Sequence, residues 1–209
     1  MSRILVLAPH PDDESIGCGG TLLHHAEQRD EVHVVFLTSG EKGGHGLSEA
    51  ETIRVREREA RKAARILGVR HIEFWHLPDG AVRPTSDAVD RLRKKLKQFN
   101  PEKSYVTHER EMHADHRGAA RLLRRALEGA AGERPDVLGY EVWTPIQELS
   151  EIVDISPYLE KKLRAVKIYR SQCAVVGFVE AVRGLNRYRG EMHSWPGGDY
   201  AEVFTRMKI

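Results

Sequence analysis

Cysteine is scarce in this 209-residue chain, which has only Cys18 and Cys173. Two thiols cannot make the disulfide framework of a small secreted domain, so a reducing, cytoplasmic compartment is expected. Long hydrophobic runs are missing too. No apolar stretch approaches the roughly 20 residues of a membrane span. The opening "MSRILVLAP" has a short apolar run leading straight into charged residues, which is not a secretory pattern. A large excess of either charge is also absent: a formal net charge of +2 leaves no electrostatic footprint for nucleic acid. No repeat or low-complexity tract divides the sequence, so residues 1–209 are expected to form a single domain with a sizeable core.

Histidine, by contrast, is plentiful, with eleven residues of the commonest metal-ligand and acid–base type. Apolar β-forming runs at 3–9, 31–38, 71–77, 103–108 and 137–143 alternate with helix-period segments near 18–29, 49–67, 86–99 and 116–131. A short apolar "EIVDI", two helical segments around 157–169 and 174–188, and a terminal "YAEVFTRMKI" follow. Such alternation predicts an α/β fold whose parallel sheet is covered on both faces. Loops leaving the carboxyl ends of its strands then share one edge, where ligands bind. Those loops are His10–Glu14, Thr38–Glu41, Asp79–Gly80 and His113–His116, all polar. The loops of the opposite edge, "EQRDE" and "PEKS", are merely charged and turn-like.

Three adjacent acids after a strand repel one another and lose water on burial. A cation would relieve both costs in "LVLAPHPDDE" (5–14). A catalytic zinc takes three protein ligands and leaves a place for water. His10 and Asp13, three apart across a turn, with His116 from another loop, offer that set. Asp12 is then placed to act as general base, and His113 to stabilise the reacting oxygen as an imidazolium. Asp115 holds a histidine tautomer or caps a helix beginning at His116. Each motif alone has a plainer reading: "PDDE" is a common acidic helix start, and "HxxH" is frequent on surface helices. Their shared sheet edge favours the metal. Cys18 reads as a buried, inert thiol.

"APHPDDE" with the downstream "HADH" resembles the PIG-L/LmbE-like family of zinc-dependent N-acetylglucosaminyl deacetylases. Weaker echoes are "TSGEKG" (38–43), with Ser39 where Asp is common, "REREARKAARILGV" (56–69), "LPDG" (77–80), "YRSQ" (169–172) and "YAEVF" (200–204). The resemblance implies a Rossmann-like three-layer α/β/α fold and His10, Asp13 and His116 as zinc ligands, with Fe²⁺ the alternative metal. It implies Asp12 as base and His113 as support for the tetrahedral intermediate. It also favours Arg56 and Asp79 as contacts to hydroxyls of a small amino-sugar substrate, and a homo-oligomer is compatible with it.

On the wheel of helix 49–67, Arg54, Arg58, Arg61 and Arg65 fall outward or to the flank, whereas Arg56 lies on the inward stripe. A cation there requires a ligand or an internal partner, for which Glu59 and Asp79 are the candidates. The loop "SGEKGGHG" (39–46) lacks both a G-x-G-x-x-G helix start and a Walker lysine in register, so it reads as a glycine-rich, mobile rim over the crevice. Trp75 reads as core or sheet face, and Trp195 as part of a loop that closes over substrate or simply packs. The expected reaction is metal-dependent removal of an N-acetyl group from an N-acetylglucosamine conjugate. Its rivals are hydrolysis of a thiol-conjugate or other small non-sugar amide, a receiver-like Mg²⁺ domain, and a metal-free binding module. Magnesium prefers oxygen ligands, and the histidines argue for a zinc-type ion.

Overall fold

The computed structural model describes residues 1–129, 134–193 and 197–208. Among these, seven strands and seven helices run in the order β1 (Arg3–Ala8), α1 (Asp13–Glu27), β2 (Glu31–Phe36), α2 (Glu49–Leu67), β3 (His71–Phe74), α3 (Ser86–Phe99), β4 (Lys103–Thr107) and α4 (Ala114–Leu127). Then come β5 (Asp136–Tyr140), β6 (Glu151–Asp154), α5 (Leu159–Ile168), α6 (Arg170–Cys173), α7 (Phe178–His193) and β7 (Ala201–Arg206). The sheet order is β3-β2-β1-β4-β5-β7-β6. The first five strands are mutually parallel, and β7 is antiparallel to both β5 and β6. The expected α/β class with a mostly parallel sheet is the one observed.

The side-chain alternation of β1 divides the core. Ile4, Val6 and Ala8 pack with α1, α2 and α5 on one face. Leu5 and Leu7 pack with α3 and α4 on the other. A strand buried on both faces needs the continuous apolar run that "ILVLA" supplies. β2 leaves β1 on one side and β4 flanks it on the other, so the strand order reverses between β1 and β4. At such a switch point the loops diverge and open a crevice at the carboxyl edge. Among the described residues, no helix is long and apolar enough to cross a membrane.

Several boundaries depart from expectation. The first helix begins at Asp13 rather than near residue 18, which puts two of the three acids in its first turn. Its regular geometry breaks at Cys18 (φ −138°, ψ 18°). Just beyond, the Gly20 and Thr21 N–H groups each donate to the Glu202 carboxylate at 2.7 Å, an anionic cap inside the helix. Lys162, fully buried, balances that charge at 2.7 Å and donates to Asn186 at 2.8 Å. Gly17 permits the close approach of α1 to β5, since a Cβ there would lie 2.1 Å from the Tyr140 ring. The third strand stops at Phe74, and His76 turns away with φ 55°. The fourth helix starts at Ala114, capped by His113, and ends at Leu127, so Asp115 lies inside its first turn and is not its cap. Residues 130–131 of its expected end, and Trp195, lie outside the described residues. The helical segment expected at 174–188 is α7, running from Phe178 to His193. As expected, Gly68 closes α2 in the left-handed conformation (φ 77°), and Trp75 is buried.

Candidate metal and catalytic site

The β1–α1 loop turns tightly. Asp12 has φ 130° and ψ −30°, which an L residue rarely adopts and which costs about 1–3 kcal/mol. Its surroundings hold it there. The Asp12 N–H donates to Glu14 Oε2 at 3.1 Å, and its carbonyl accepts from the Ser15 and Ile16 N–H groups at 3.0 and 2.9 Å. Glu14 is fixed in turn by hydroxyl donors, Ser15 and Tyr169, each at 2.6 Å. The third acid of the motif thus braces the backbone, while Asp12 makes no side-chain cap to α1.

The crevice holds about 380 Å³ and is lined by His10, Asp12, Asp13, Arg56, Asp79 and His113 among others. Asp13 Oδ2 lies 3.2 Å from His10 Nδ1 and 3.3 Å from His116 Nε2, so N, O and N donors converge. Behind His10, its Nε2 lies 3.2 Å from both Asp79 Oδ1 and Asp115 Oδ2. Asp115 also accepts from the Gly80 and Val82 N–H groups at 2.7 and 3.0 Å, which ties the loop after β3 to the histidine. His116 is fully buried, and neither of its ring nitrogens has a hydrogen-bond partner. Glu111 Oε2, likewise without a hydrogen-bond partner, stands 3.7 Å behind His116 Nδ1. The other Glu111 oxygen accepts from the Val142, Trp143 and Thr144 N–H groups at 2.8, 2.8 and 3.2 Å.

These features fit a divalent cation between His10, Asp13 and His116. The site has orphaned imidazole nitrogens, a converging carboxylate, and a carboxylate behind each histidine, as metal-ligating imidazoles usually have. The acids Asp12, Asp13, Glu14, Asp79, Glu111 and Asp115 are all buried, and among them Arg56 pairs with Asp12 alone, so added positive charge is favourable. His10, His113 and His116 also bring ring nitrogens within 4.8 Å of one another. His113 is less available as a ligand, because its Nδ1 accepts from the Asp115 N–H at 3.2 Å.

Burial pushes the Asp12 carboxyl up to about 8; Arg56 opposes the shift and Asp13 adds to it. For Asp13 burial acts in the same sense, but His116 and His10 outweigh it and hold the carboxyl well below its ordinary range. Burial would lower His10, yet Asp115, Asp13 and Asp79 together raise it well above the usual imidazole value. Burial, and then His10 and His116, lower His113. An imidazolium at His113 is therefore disfavoured, contrary to expectation. With Nδ1 accepting, its neutral ring carries the proton on Nε2.

Arg56 is buried as its helical position requires, but its internal partner is neither Glu59 nor Asp79. Its Nη2 pairs with Asp12 Oδ2 at 3.3 Å and donates to Pro11 O at 2.8 Å, and Nη1 donates to Gly40 O at 3.0 Å. Glu59 is instead taken by Ser171, whose hydroxyl donates to it at 2.6 Å. Asp79 is held down at about 2: burial opposes this, His10 outweighs it, and the Lys42 N–H donates to its Oδ2 at 2.9 Å. Both residues expected to contact sugar line the crevice, and both already serve protein partners. Lys42, Gly43 and His45 place the glycine-rich loop at the rim.

Residues 5–127, more than half of the chain, match the family model described as PIG-L, GlcNAc-PI de-N-acetylase. The chain belongs to the PIG-L family. Its likeness to solved structures extends to its full length. A conserved protein of Thermus thermophilus is 31% identical with TM-score 0.84, over 100% of this chain and 98% of that one. The diacetylchitobiose deacetylase of Thermococcus kodakarensis is 28% identical, over 82% of this chain and 70% of its own length. The 4-carboxy-2-hydroxymuconate hydratase of Pseudomonas putida is 26% identical with TM-score 0.88, over 100% of this chain and 97% of that one. The proteins similar to this chain thus include a deacetylase and a hydratase on one shared fold.

Proposed function

We propose that this protein is a metal-dependent hydrolase that removes an N-acetyl group from an N-acetylglucosamine-type conjugate. The observation that supports this most is the donor trio of His10, Asp13 and His116 beside Asp12, whose backbone is strained and whose carboxyl lines the same crevice. Zinc suits two imidazoles and a carboxylate, with ferrous iron the alternative. A bound divalent metal would polarise the amide carbonyl and make water nucleophilic near neutral pH. Asp12, which Arg56 and a bound cation would keep ionised, takes a proton from water and returns it to the leaving nitrogen as the C–N bond breaks. Water and amide become acetate and amine. Arg56 anchors the Asp12 carboxylate, His113 donates its Nε2 proton toward the reacting carbonyl oxygen, and Asp115 and Glu111 orient the histidines. Asp79 keeps acceptor capacity for a sugar hydroxyl beside His10.

The hydratase relative supports a second reaction on the same fold. A carboxylated substrate of that kind calls for several cations. Among the described lining residues the crevice offers only Lys42 and the already engaged Arg56 as permanent ones, facing three acids. That balance favours a neutral sugar amide. The test is acetate release from a panel of N-acetylglucosamine conjugates and non-sugar amides by zinc-reconstituted protein. Release from the sugar panel above a metal-free control supports the proposal. Release only from the non-sugar amides replaces it with the amidase reading, and release from neither removes it.

A further inference from the structure

The crevice lining has two unlike parts. Lys42, Arg56, Asp79 and Gln172 are polar, whereas Ile16, Val142, Trp143, Val175, Val176 and Phe178 supply an apolar wall, in which Ile16, Val142, Val176 and Phe178 pack in one cluster. The apolar wall continues past the crevice. Five of its residues, all but Val175, also line an adjoining cavity of about 210 Å³ that reaches Val182 and Leu185 of α7. Trp143 meets Phe178 edge-on with ring centroids 5.4 Å apart, yet it is 43% exposed, and Val175 is 55% exposed. Cleaving an acetyl group needs apolar contact for one methyl, and this wall offers far more. A contiguous apolar surface beside polar recognition groups marks a place for hydrocarbon.

We infer that the apolar wall binds an alkyl or aryl portion of the same substrate molecule, which is therefore an amphiphile. Its sugar hydroxyls face Asp79 while its hydrocarbon lies on Trp143 and Phe178. This rests on the deacetylase reading for the placement of the amide above Asp12. The hydrocarbon has two chemical sources, a glycosidic aglycone or an N-acyl chain longer than acetyl. Ile16 lies one turn beyond Asp12 on α1, so the wall begins within reach of either end of an amide placed there.

The test is calorimetric binding to zinc-loaded protein of four probes: methyl, hexyl and phenyl glycosides of N-acetylglucosamine, and N-hexanoylglucosamine. Release of acetate or hexanoate is followed in parallel. The hexyl or phenyl glycoside, or the hexanoyl amide, should bind about tenfold or more tighter than the methyl glycoside, as burial of several methylenes implies. The probe that gains identifies the source. Trp143→Ala should collapse that ratio toward one, and Trp143→Phe, which keeps an aromatic face, should largely preserve it. Equal binding of all probes overturns the inference, as does a ratio that survives Trp143→Ala. It also fails if sedimentation shows a dimer that Trp143→Ala dissolves while no probe gains affinity, since the wall then faces a second copy of the chain. A hydrocarbon gain without any acyl release refutes the deacetylase reading and leaves the apolar subsite standing. Acyl release with no gain does the reverse.

Discussion

Two clusters of histidine and acid sit at opposite edges of the sheet. His10, Asp13 and His116 lie at the carboxyl edge, with Asp13 Oδ2 3.2 and 3.3 Å from the two imidazoles, and Glu31, His33 and His71 at the amino ends of β2 and β3, where donor atoms lie within 4.8 Å of one another. Their residue types are alike, but the physical settings are not. At the amino edge His33 is satisfied on both nitrogens: Lys95 donates to Nδ1 at 3.0 Å, and Nε2 faces Glu31 at 3.1 Å. Burial and then Lys95 lower its pKa, its ring stacks on Phe99 at 3.9 Å, and Lys95 also pairs with Glu73. A metal there would have to displace an existing cation. At the carboxyl edge the imidazole nitrogens of His116 face Asp13 and Glu111 without a hydrogen bond, the acids outnumber the cations, and the backbone is strained at Asp12. Unmet demand for charge, more than residue type, separates a site from a satisfied surface cluster.

Removing a ligand should have the largest effect. Asp13→Ala or His116→Ala is expected to abolish stoichiometric metal, read by elemental analysis after dialysis; full metal content in either variant would break the contrast. The carboxylates behind the histidines should matter less. Glu111→Gln and Asp115→Asn should each weaken metal about 10–100-fold in chelator competition, and native affinity in both would remove them from the site.

Acid–base linkage in chelated protein should be smaller again. Asp12 has a folded pKa of about 8, above the ordinary carboxylate value near 4, so between those limits the folded state binds the extra proton. Its contribution to stability is complete below about pH 4 and is lost as pH rises to 8, and the raised His10 acts in the same direction. The melting temperature of chelated wild-type protein should therefore fall between pH 5 and 8 more steeply than that of chelated Asp12→Asn. Parallel curves for the two would contradict the burial-driven shift. The smallest effect belongs to the amino edge: His33→Ala and His71→Ala should leave metal content at one per chain. A second equivalent that His33→Ala removes would dissolve the comparison.

Much of the architecture was legible because β1 to β5 and the helices between them carry strong hydrophobic periods, and a parallel sheet fixes which loops share an edge. The gathering of His10, Asp13, His113 and His116 followed from that geometry together with the motif resemblance. The antiparallel β7 and its pairing with β6 were not readable, since "EIVDI" and "YAEVF" say nothing of direction. Arg56 could be placed inward by its helical spacing, but its partner could not be found, because the turn that brings Asp12 to it depends on a backbone conformation no residue type advertises. Glu111 was missed for a related reason. In "HEREMHADH" it alternates with Glu109 and Arg110, and only the fold shows that this acid is buried behind His116. Tyr169 and Glu202, in segments recognised only as family echoes, act on α1 from 155 and 181–182 residues away in sequence.

The separation of proton transfer from metal holding is tested most directly by measuring zinc content and acetate release on the same preparation of Asp12→Asn. The expected result is one metal per chain with turnover reduced about 10²–10⁴-fold, the usual contribution of a positioned general base. Turnover near the wild-type rate, or loss of the metal along with the activity, would contradict the assignment.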